Sequence, residues 1–146
     1  MEECRIVKFN SHHQPFLTER FDCAPDHRLH FISAMTQLRY NDGDYDASYL
    51  KLYSWRRFFT EHRANTKKNL VQLSRRIVFN IALSNTDDHL RSHGFIYSNG
   101  GWLLSLAYDI NPVSPANGLH LNITYEDNSL NFELAMGVVD FFPIST

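Results

Sequence analysis

The clearest hydrophobic pattern in the chain is helical, and it begins near Asn65 or Thr66, either of which can cap a helix. Apolar residues then recur three and four positions apart, while the lysines and arginines lie mainly on the other faces. This spacing predicts a long amphipathic helix with one buried side. The apolar positions are Leu70, Leu73, Ile77, Val78 and Ile81.

Three further segments predict helices. Residues 27–38 are amphipathic and follow Asp26, which predicts a short helix capped by that aspartate. Residues 48–62 are rich in aromatic side chains and predict a helix packed into the core. Residues 131–139 predict a last helix. Its predicted packing residues are Phe132, Leu134, Ala135 and Val138.

Short apolar runs between polar segments predict the strands. Residues 4–9 and 16–21 predict an antiparallel hairpin. Residues 95–97 and 102–104 flank Ser-Asn-Gly-Gly, which is a strong signal for a tight hairpin. Residues 120–123 predict one more short strand. Together the patterns predict several helices and small β-hairpins.

Composition narrows the classes of protein. A chain of 146 residues with 43% apolar residues is expected to form about one globular domain. Its net charge of −2 gives no bulk attraction to nucleic acid, and no apolar run is long enough to span a membrane. The N-terminus lacks the pattern of a signal peptide, so Cys4 and Cys23 are expected to be reduced thiols in the cytoplasm.

The candidate chemistry follows the long helix. Asp87 lies in Asn-Thr-Asp-Asp-His directly after it, and Asp109 lies in Ala-Tyr-Asp-Ile after the second hairpin. Protein kinases place a catalytic loop, a hairpin and a metal-binding aspartate in this order. Asp87 is therefore predicted to accept or orient the proton of an attacking hydroxyl. Asp109 is predicted to hold Mg²⁺.

Three of the residues that follow Asp87 have predicted supporting roles. Ser92 stands five positions after Asp87, where kinases use a carboxamide to hold the second metal ion, and its hydroxyl is a predicted metal ligand. Arg91 is placed to meet phosphate oxygens of a nucleotide. His89 is predicted to fix the loop through a hydrogen bond.

Other interpretations of these residues stay open. An Asp-Asp pair after a helix is commonly a solvated turn. His89 and His93 stand four apart, as zinc ligands on a helix do, although Leu90 occupies the position of the general-base glutamate in zinc peptidases. A calcium site in residues 41–46 is not expected, because no glutamate follows at the required spacing.

Several blocks of the sequence resemble the C-terminal lobe of the HipA-type serine/threonine toxin kinases. They are N-T-D-D-H-L-R-S-H-G-F-I from Asn85, W-L-L-S-L-A-Y-D-I-N-P from Trp102, H-L-N-I-T-Y-E-D-N-S-L-N-F-E-L-A from His120, and L-T-E-R-F-D from Leu17. The resemblance covers nearly the whole chain and implies one domain, residues 1–146. Its fold would be α+β, the mostly helical C-terminal lobe of a protein-kinase-like fold with small β-hairpins. Its parts would be a hinge-side β-hairpin (1–23), helices (27–83), the catalytic loop, hairpin and metal aspartate (84–111) and a C-terminal segment (112–146).

The resemblance also implies a function. Asp87 would be the catalytic aspartate, Asp109 the Mg²⁺ ligand, and Ser92 would replace the family's metal-binding asparagine. The backbone near Glu19 and Phe21 would form the hinge that holds the adenine of ATP. Members of the family are bacterial cytoplasmic toxins that phosphorylate a protein, such as an aminoacyl-tRNA synthetase, and are restrained by a DNA-binding HipB-like antitoxin.

The family's glycine-rich loop and ATP-contacting lysine precede the hinge and have no match in this sequence. We therefore expect a subunit or fragment that lacks the N-terminal lobe and does not turn over ATP unless a separate chain supplies that lobe. The alternative is a non-catalytic remnant that acts as a protein-interaction module in a toxin–antitoxin system. Cys23 also departs from the family, which usually has arginine there.

Overall fold

The computed structural model describes residues 4–8, 14–44, 46–51 and 65–138. Within them the fold is α+β, as predicted, with two small antiparallel sheets; the expectation that it is mostly helical is not confirmed. The elements in chain order are β1 (Cys4–Ile6), β2 (Phe16–Thr18), β3 (Phe31–Ser33), α1 (Ala34–Leu38), α2 (Thr66–Leu83), a 3₁₀ turn (Leu90–Ser92), β4 (Gly94–Ser98), β5 (Gly101–Leu104) and α3 (Phe132–Gly137).

The long helix α2 confirms the strongest sequence pattern. Asn65 caps it, because its side-chain oxygen accepts a hydrogen bond from the Lys68 backbone N–H at 3.1 Å. The helix ends at Ser84, whose left-handed backbone (φ 54°) turns the chain into the candidate catalytic loop. Four of the five predicted apolar positions are buried, but Val78 is 39% exposed, so its predicted place in the core is wrong.

The hairpin of β4 and β5 confirms the second strong signal. Residues Asn99 and Gly100 both have positive φ, 51° and 78°, as a two-residue primed turn requires, and Ser98 pairs with Gly101 across it. Strand β4 lies between β3 and β5, and its Phe95 is fully buried. The hairpin therefore connects the candidate catalytic loop before it to Asp109 after it.

The helix predicted over residues 27–38 is wrong for its first part. Phe31–Ser33 forms β3 and pairs with β4, and helix α1 begins only at Ala34. Ser33 caps that helix, while the carboxylate of Asp26 instead lies 2.6 Å from Nδ1 of His27. The first part of this segment pairs with β4, a strand that lies about 60 residues later in the sequence, so its local pattern does not determine its structure.

Strands β1 and β2 confirm the first predicted hairpin as an antiparallel pair, with Ile6 opposite Phe16. Both of these side chains are exposed to solvent. The two cysteines, Cys4 and Cys23, are exposed and free, and their reduced state stays a prediction.

The remaining predicted elements have mixed outcomes. Most of the helix predicted over residues 48–62 lies outside the described residues, and its first residues form a turn. The strand predicted at 120–123 is reduced to one parallel bridge between Asn122 and Ser48. Helix α3 is confirmed, but Phe132 is exposed and does not pack as predicted. Among the described helices, none combines the length and the apolar character that crossing a membrane requires.

One hydrophobic core packs most of the described elements together, while every residue of β1 and β2 is exposed. It brings α2 into contact with α3, with the strand β5 and with the segment around residue 121. Its largest fully buried side chains are Tyr49, Phe95, Leu70, Leu73, Ile77, Leu119, Leu121, Ile123 and His93. Because α2 is rigid and buried along one side, the loop that follows it has a fixed starting point.

Candidate active site

The loop after α2 is fastened to the helix by a pair of buried asparagines. The backbone N–H of Asn85 donates to the Asn80 carbonyl at 2.9 Å, and the Asn85 side-chain amide donates to Asn80 Oδ1 at 3.1 Å. Both side chains are nearly inaccessible to solvent. The direction in which the chain leaves the helix is therefore set by hydrogen bonds inside the protein.

Behind this loop lies a buried cluster of three side chains, Tyr49, Asp88 and His93. The Tyr49 hydroxyl donates to Asp88 Oδ2, and His93 Nε2 lies 2.8 Å from Asp88 Oδ1. Asn80 of α2 donates to the same tyrosine oxygen at 3.3 Å. Burial, together with the charge of Asp88, raises the pKa of Tyr49 well above its usual value, so this hydroxyl keeps its proton.

The two adjacent aspartates of the motif have opposite environments. The Asp88 side chain is 2% exposed, and its backbone carbonyl accepts a hydrogen bond from Leu121 at 3.1 Å. The Asp87 side chain is 60% exposed, and its Oδ1 lies 3.9 Å from His89 Nε2. Asp88 thus holds the loop, and Asp87 is presented to solvent on it.

His89 and Ser92 are hydrogen-bonded to each other. Ser92 is buried, and its hydroxyl lies 2.8 Å from His89 Nδ1. The prediction that His89 fixes the loop through a hydrogen bond is confirmed. The role of Ser92 as a metal ligand stays a prediction, and a cation would have to compete with His89 for this hydroxyl.

Asp87 lies on the loop of residues 84–93, and Asp109 lies on the loop of residues 107–111. Two hydrogen bonds join these two loops. Before Asp109, the Tyr108 hydroxyl donates to the Arg91 carbonyl at 2.5 Å. After it, the Asn111 backbone N–H donates to Asn85 Oδ1 at 3.2 Å. Since Asn85 and Arg91 flank Asp87, and Tyr108 and Asn111 flank Asp109, the structure holds the two predicted segments against each other.

The backbone of Asp109 is left-handed, with φ at 55°, a region that aspartate and asparagine tolerate better than most residues. Its Oδ1 accepts a hydrogen bond from the Asn111 side-chain amide at 3.0 Å. The residue is exposed, so its carboxylate is accessible to a cation from solvent.

Arg91 is engaged elsewhere. Its guanidinium forms an ion pair with Asp42, and both side chains are largely exposed. Exposed ion pairs are worth about 0–1 kcal/mol, so this pair can open at little cost. The predicted contact of Arg91 with phosphate oxygens requires that exchange.

The residues predicted at the hinge line an open cleft. Glu19 and Phe21 lie with Phe31 and Tyr108 around a cleft of about 270 Å³. The Phe21 ring centroid is 5.9 Å from that of Phe31 and 5.4 Å from that of Tyr108. An aromatic wall of this kind suits a flat, partly apolar ring system, and Tyr108 links it to Asp109 through the chain.

Two neighbours shape this cleft. Beneath Phe31 is Gly94, where a Cβ would lie 2.2 Å from Phe31 Cε2, so this strand position suits a residue without a side chain. At the rim, Arg20 grips Asp22 with two hydrogen bonds of 2.8 and 2.5 Å. The Arg20 bonds lower the pKa of Asp22 below its usual value.

The chemistry of the oxygen donors is compatible with Mg²⁺. Asp87, Asp109 and Asn111 present carboxylate and carboxamide oxygens, the hard ligands that this ion prefers. In the part of the chain that the structure describes, no three His, Cys, Asp or Glu side chains cluster as a complete metal site. An ion held here would therefore complete its coordination with water or phosphate oxygens, as Mg²⁺ usually does.

Comparison with known proteins places this arrangement in a family. The sequence model of the HipA-like C-terminal domain matches residues 1–141. The chain belongs to this family. No curated protein matches it significantly.

A solved structure supports the fold of this HipA-like domain. This chain is similar to HipA of Shewanella oneidensis MR-1, which was solved as a complex with HipB and operator DNA. The TM-score is 0.74 and the sequence identity is 17%. The match covers 99% of this chain and 39% of that HipA chain. The predicted fold class, the α+β C-terminal lobe of the HipA type, is thereby confirmed.

Sequence reasoning identified the exposed aspartates of the HipA-like domain but missed the residues that position them. Tyr49 and Asp88 are 39 positions apart, and Asn85 and Asn111 are 26 apart, so no local pattern indicates either contact. The local sequence offers no signal for them, because nine of the ten residues from Ser84 to His93 are polar and the sequence alone does not show which of these is buried.

Proposed function

We propose that this HipA-like domain is the catalytic lobe of a serine/threonine protein kinase that transfers a phosphoryl group from ATP, with Mg²⁺, to a protein. The observation that carries the proposal is the pair of hydrogen bonds that joins the Asp109 segment to both sides of Asp87. Phosphoryl transfer needs a proton acceptor and a metal-binding carboxylate held in a fixed relation, because positioning and charge neutralisation supply most of the catalysis.

In this proposal Asp87 accepts the proton of the substrate hydroxyl at its carboxylate. Its exposure leaves room for a substrate, and the buried Asp88 cluster behind it keeps the loop from rearranging. Asp109 holds the cation, which neutralises charge on the transferred phosphoryl group when bound. Arg91 meets phosphate oxygens after it releases Asp42.

The aromatic cleft would receive the adenine of ATP. Phe21 and Tyr108 offer ring faces and edges to a purine, and the backbone near Glu19 offers hydrogen-bonding groups at the rim. The sequence spans only 39% of the similar HipA chain. We propose that the rest of the phosphate site comes from a further lobe, either in the same polypeptide or in a partner chain.

The first test is a titration of ATP and Mg²⁺ into the ¹⁵N-labelled chain, followed by NMR. We expect shifts centred on Glu19, Phe21 and Tyr108, and their loss in Phe21→Ala. Tyr125→Ala, at an exposed aromatic residue in another part of the chain, is the matched control and should bind as the wild type does. Shifts confined to other regions, or equal binding by Phe21→Ala, would contradict the proposed cleft.

The second test concerns chemistry and uses this chain together with the further lobe. We expect phosphorylation of a protein serine or threonine that Asp87→Asn abolishes, since that variant cannot accept the proton. Retained phosphorylation in Asp87→Asn would show that another residue has this role.

A second candidate function is a protein-interaction module of a toxin–antitoxin system. The apolar side chains of Ile6 and Phe16 are 66% and 62% exposed on the first hairpin, which favours a protein contact there. The similar Shewanella protein was solved with HipB, and we propose a HipB-like antitoxin as a partner. For the kinase, as the resemblance implies, we propose a cytoplasmic location and a protein substrate such as an aminoacyl-tRNA synthetase. Antitoxin binding without any ATP-dependent shift would favour the module over the kinase.

A further inference from the structure

We infer that Asn111 is a ligand of the metal site, and that its side-chain oxygen binds the divalent cation together with Asp109. This inference rests on the proposed function and adds a residue to its metal site. Among the polar residues on the two joined loops, Asn111 has the position and the freedom that a second oxygen ligand requires.

The position follows from two hydrogen bonds. The Asn111 backbone is fixed by Asn85 at 3.2 Å, and its side-chain amide reaches Asp109 Oδ1 at 3.0 Å. The side chain therefore already contacts the carboxylate that is proposed to hold the ion. A cation on that carboxylate would lie within reach of the same amide group.

The Asn111 side-chain amide has one orientation that suits the site without a cation and another that suits the site with a bound cation. Without a cation, the Asn111 N–H group faces the Asp109 carboxylate, which is the attractive arrangement. A half-turn about the last side-chain bond exchanges nitrogen for oxygen at nearly the same place. With a cation on Asp109, the oxygen is the group that faces the site. The exposed position of Asn111 leaves this rotation unhindered by burial.

Two other neutral oxygen donors on these loops, those of Ser92 and Asn85, are already committed. The Ser92 hydroxyl is buried against His89 Nδ1 at 2.8 Å. Asn85 uses its amide for Asn80 and its oxygen for the Asn111 backbone. Recruiting either oxygen would leave its partner in a part-buried hydrogen bond, the His89 ring nitrogen or the Asn111 N–H, unpaired, which costs up to roughly 1–3 kcal/mol. Asn111 gives up only a surface contact.

A neutral ligand also suits the charge of the site. Mg²⁺ is usually bound by one or two carboxylates and keeps several waters or phosphate oxygens. A carboxamide adds an oxygen without placing another negative charge beside Asp109 and the phosphates. The donor set of Asp109 and Asn111 is therefore compatible with a cation that also carries a nucleotide.

The test uses Mn²⁺ alone as a paramagnetic probe on the ¹⁵N-labelled chain, so no turnover is needed. We expect selective broadening of the Asp109 and Asn111 signals, its loss in Asp109→Asn, and binding weakened about tenfold in Asn111→Ala. Asn111→Asp should retain binding because it keeps an oxygen ligand. Asn117→Ala, at an exposed asparagine farther along the same segment, is the control. Spectra away from the site report whether each variant is folded.

The outcomes separate the inference from the proposal on which it rests. If Asp109→Asn abolishes Mn²⁺ broadening but Asn111→Ala binds as the wild type does, the inference is wrong and the metal-binding aspartate stands. The same holds if Ser92→Ala, instead of Asn111→Ala, weakens binding. If the wild type shows no broadening at Asp109, both the inference and the metal part of the proposed function fail.

Discussion

Asn85 accepts a hydrogen bond on its side-chain oxygen from the backbone N–H of Asn111, at 3.2 Å, and thereby joins the loop of one candidate aspartate to the loop of the other. The other end of the same side chain donates to Asn80 on α2 at 3.1 Å. One buried carboxamide thus connects the rigid helix, the Asp87 loop and the Asp109 loop. The relation of the two aspartates depends on a residue that carries no chemistry itself.

Replacing Asn85 with alanine should therefore destabilise the protein. The change leaves the Asn80 side-chain oxygen and the Asn111 N–H without their partners, and we expect a loss of roughly 2–3 kcal/mol in the free energy of unfolding. Urea denaturation measures this quantity. Asn117→Ala removes an exposed asparagine and should change stability by less than about 0.5 kcal/mol. Equal stability of Asn85→Ala and the wild type would show that the tether contributes nothing.

The adjacent aspartates provide a matched pair of variants. Asp87→Asn and Asp109→Asn should leave the free energy of unfolding within about 0.5 kcal/mol of the wild type, because both residues are exposed and asparagine tolerates the left-handed backbone at 109. Asp88→Asn should cost roughly 1–3 kcal/mol, because it weakens the buried bonds to Tyr49 and His93.

Thermal and urea unfolding of the three variants test this ordering. If Asp87→Asn or Asp109→Asn collapses the fold, that aspartate is structural and its assignment to the active site is wrong. If Asp88→Asn is as stable as the wild type, the buried cluster does not hold the loop.

Some parts of the molecule could be predicted from local sequence, and others could not. Helix α2 and the β4–β5 hairpin follow from helical spacing and from an Asn-Gly turn, both of which are complete within a short stretch. Strand β3 could not be predicted in this way, because its partner β4 lies more than 60 residues later and only the tertiary fold brings them together.

The candidate site divides in the same manner. Asp87 and Asp109 are recognisable because their spacing around a hairpin is typical of a known chemistry. Of the two adjacent aspartates, Asp88 is buried because it contacts Tyr49, which is also bonded to α2. The residues next to the two aspartates in the sequence do not indicate which one is buried. The exposed apolar residues of β1 and β2 likewise show that a hydrophobic run alone does not predict burial in this chain.

A test of the aromatic cleft is Gly94→Ala. The added Cβ would lie 2.2 Å from Phe31 Cε2, so the ring must move away from the cleft wall. The ring is 41% exposed and can swing outward, and we therefore expect a modest loss of about 1–2 kcal/mol in the free energy of unfolding. Denaturation of the single and double variants measures it, and Phe31→Leu in the Gly94→Ala background should recover part of the loss.

Gly137 gives the control for that experiment, because it ends α3, has ordinary φ and has open space where a Cβ would point. Gly137→Ala should be neutral or slightly stabilising. Additive effects of Gly94→Ala and Phe31→Leu would show that the two residues do not constrain each other.

The buried hydroxyl of Tyr49 predicts how stability depends on pH. Burial raises the pKa of Tyr49 above the ordinary value of 10.0, so the folded protein keeps this proton at pH values where the unfolded chain loses it. The contribution of the protonated Tyr49 hydroxyl to the free energy of unfolding is therefore fully present below about pH 10. It decreases as the pH rises further, by up to about 1.4 kcal/mol per pH unit. Tyr49→Phe should be less stable than the wild type at pH 7, by about 1–2 kcal/mol, because Asp88 loses a donor.

Urea unfolding between pH 7 and pH 11 separates the two effects. In Tyr49→Phe the alkaline decrease should be shallower than in the wild type, because the group that retains its proton is gone. Tyr125→Phe removes a largely exposed tyrosine and should keep the wild-type slope. An unchanged slope in Tyr49→Phe would mean that this hydroxyl ionises as readily in the folded protein as in the unfolded chain. The buried cluster would then exert no hold on its proton, and the rigidity that we assign to the Asp87 loop would need another source.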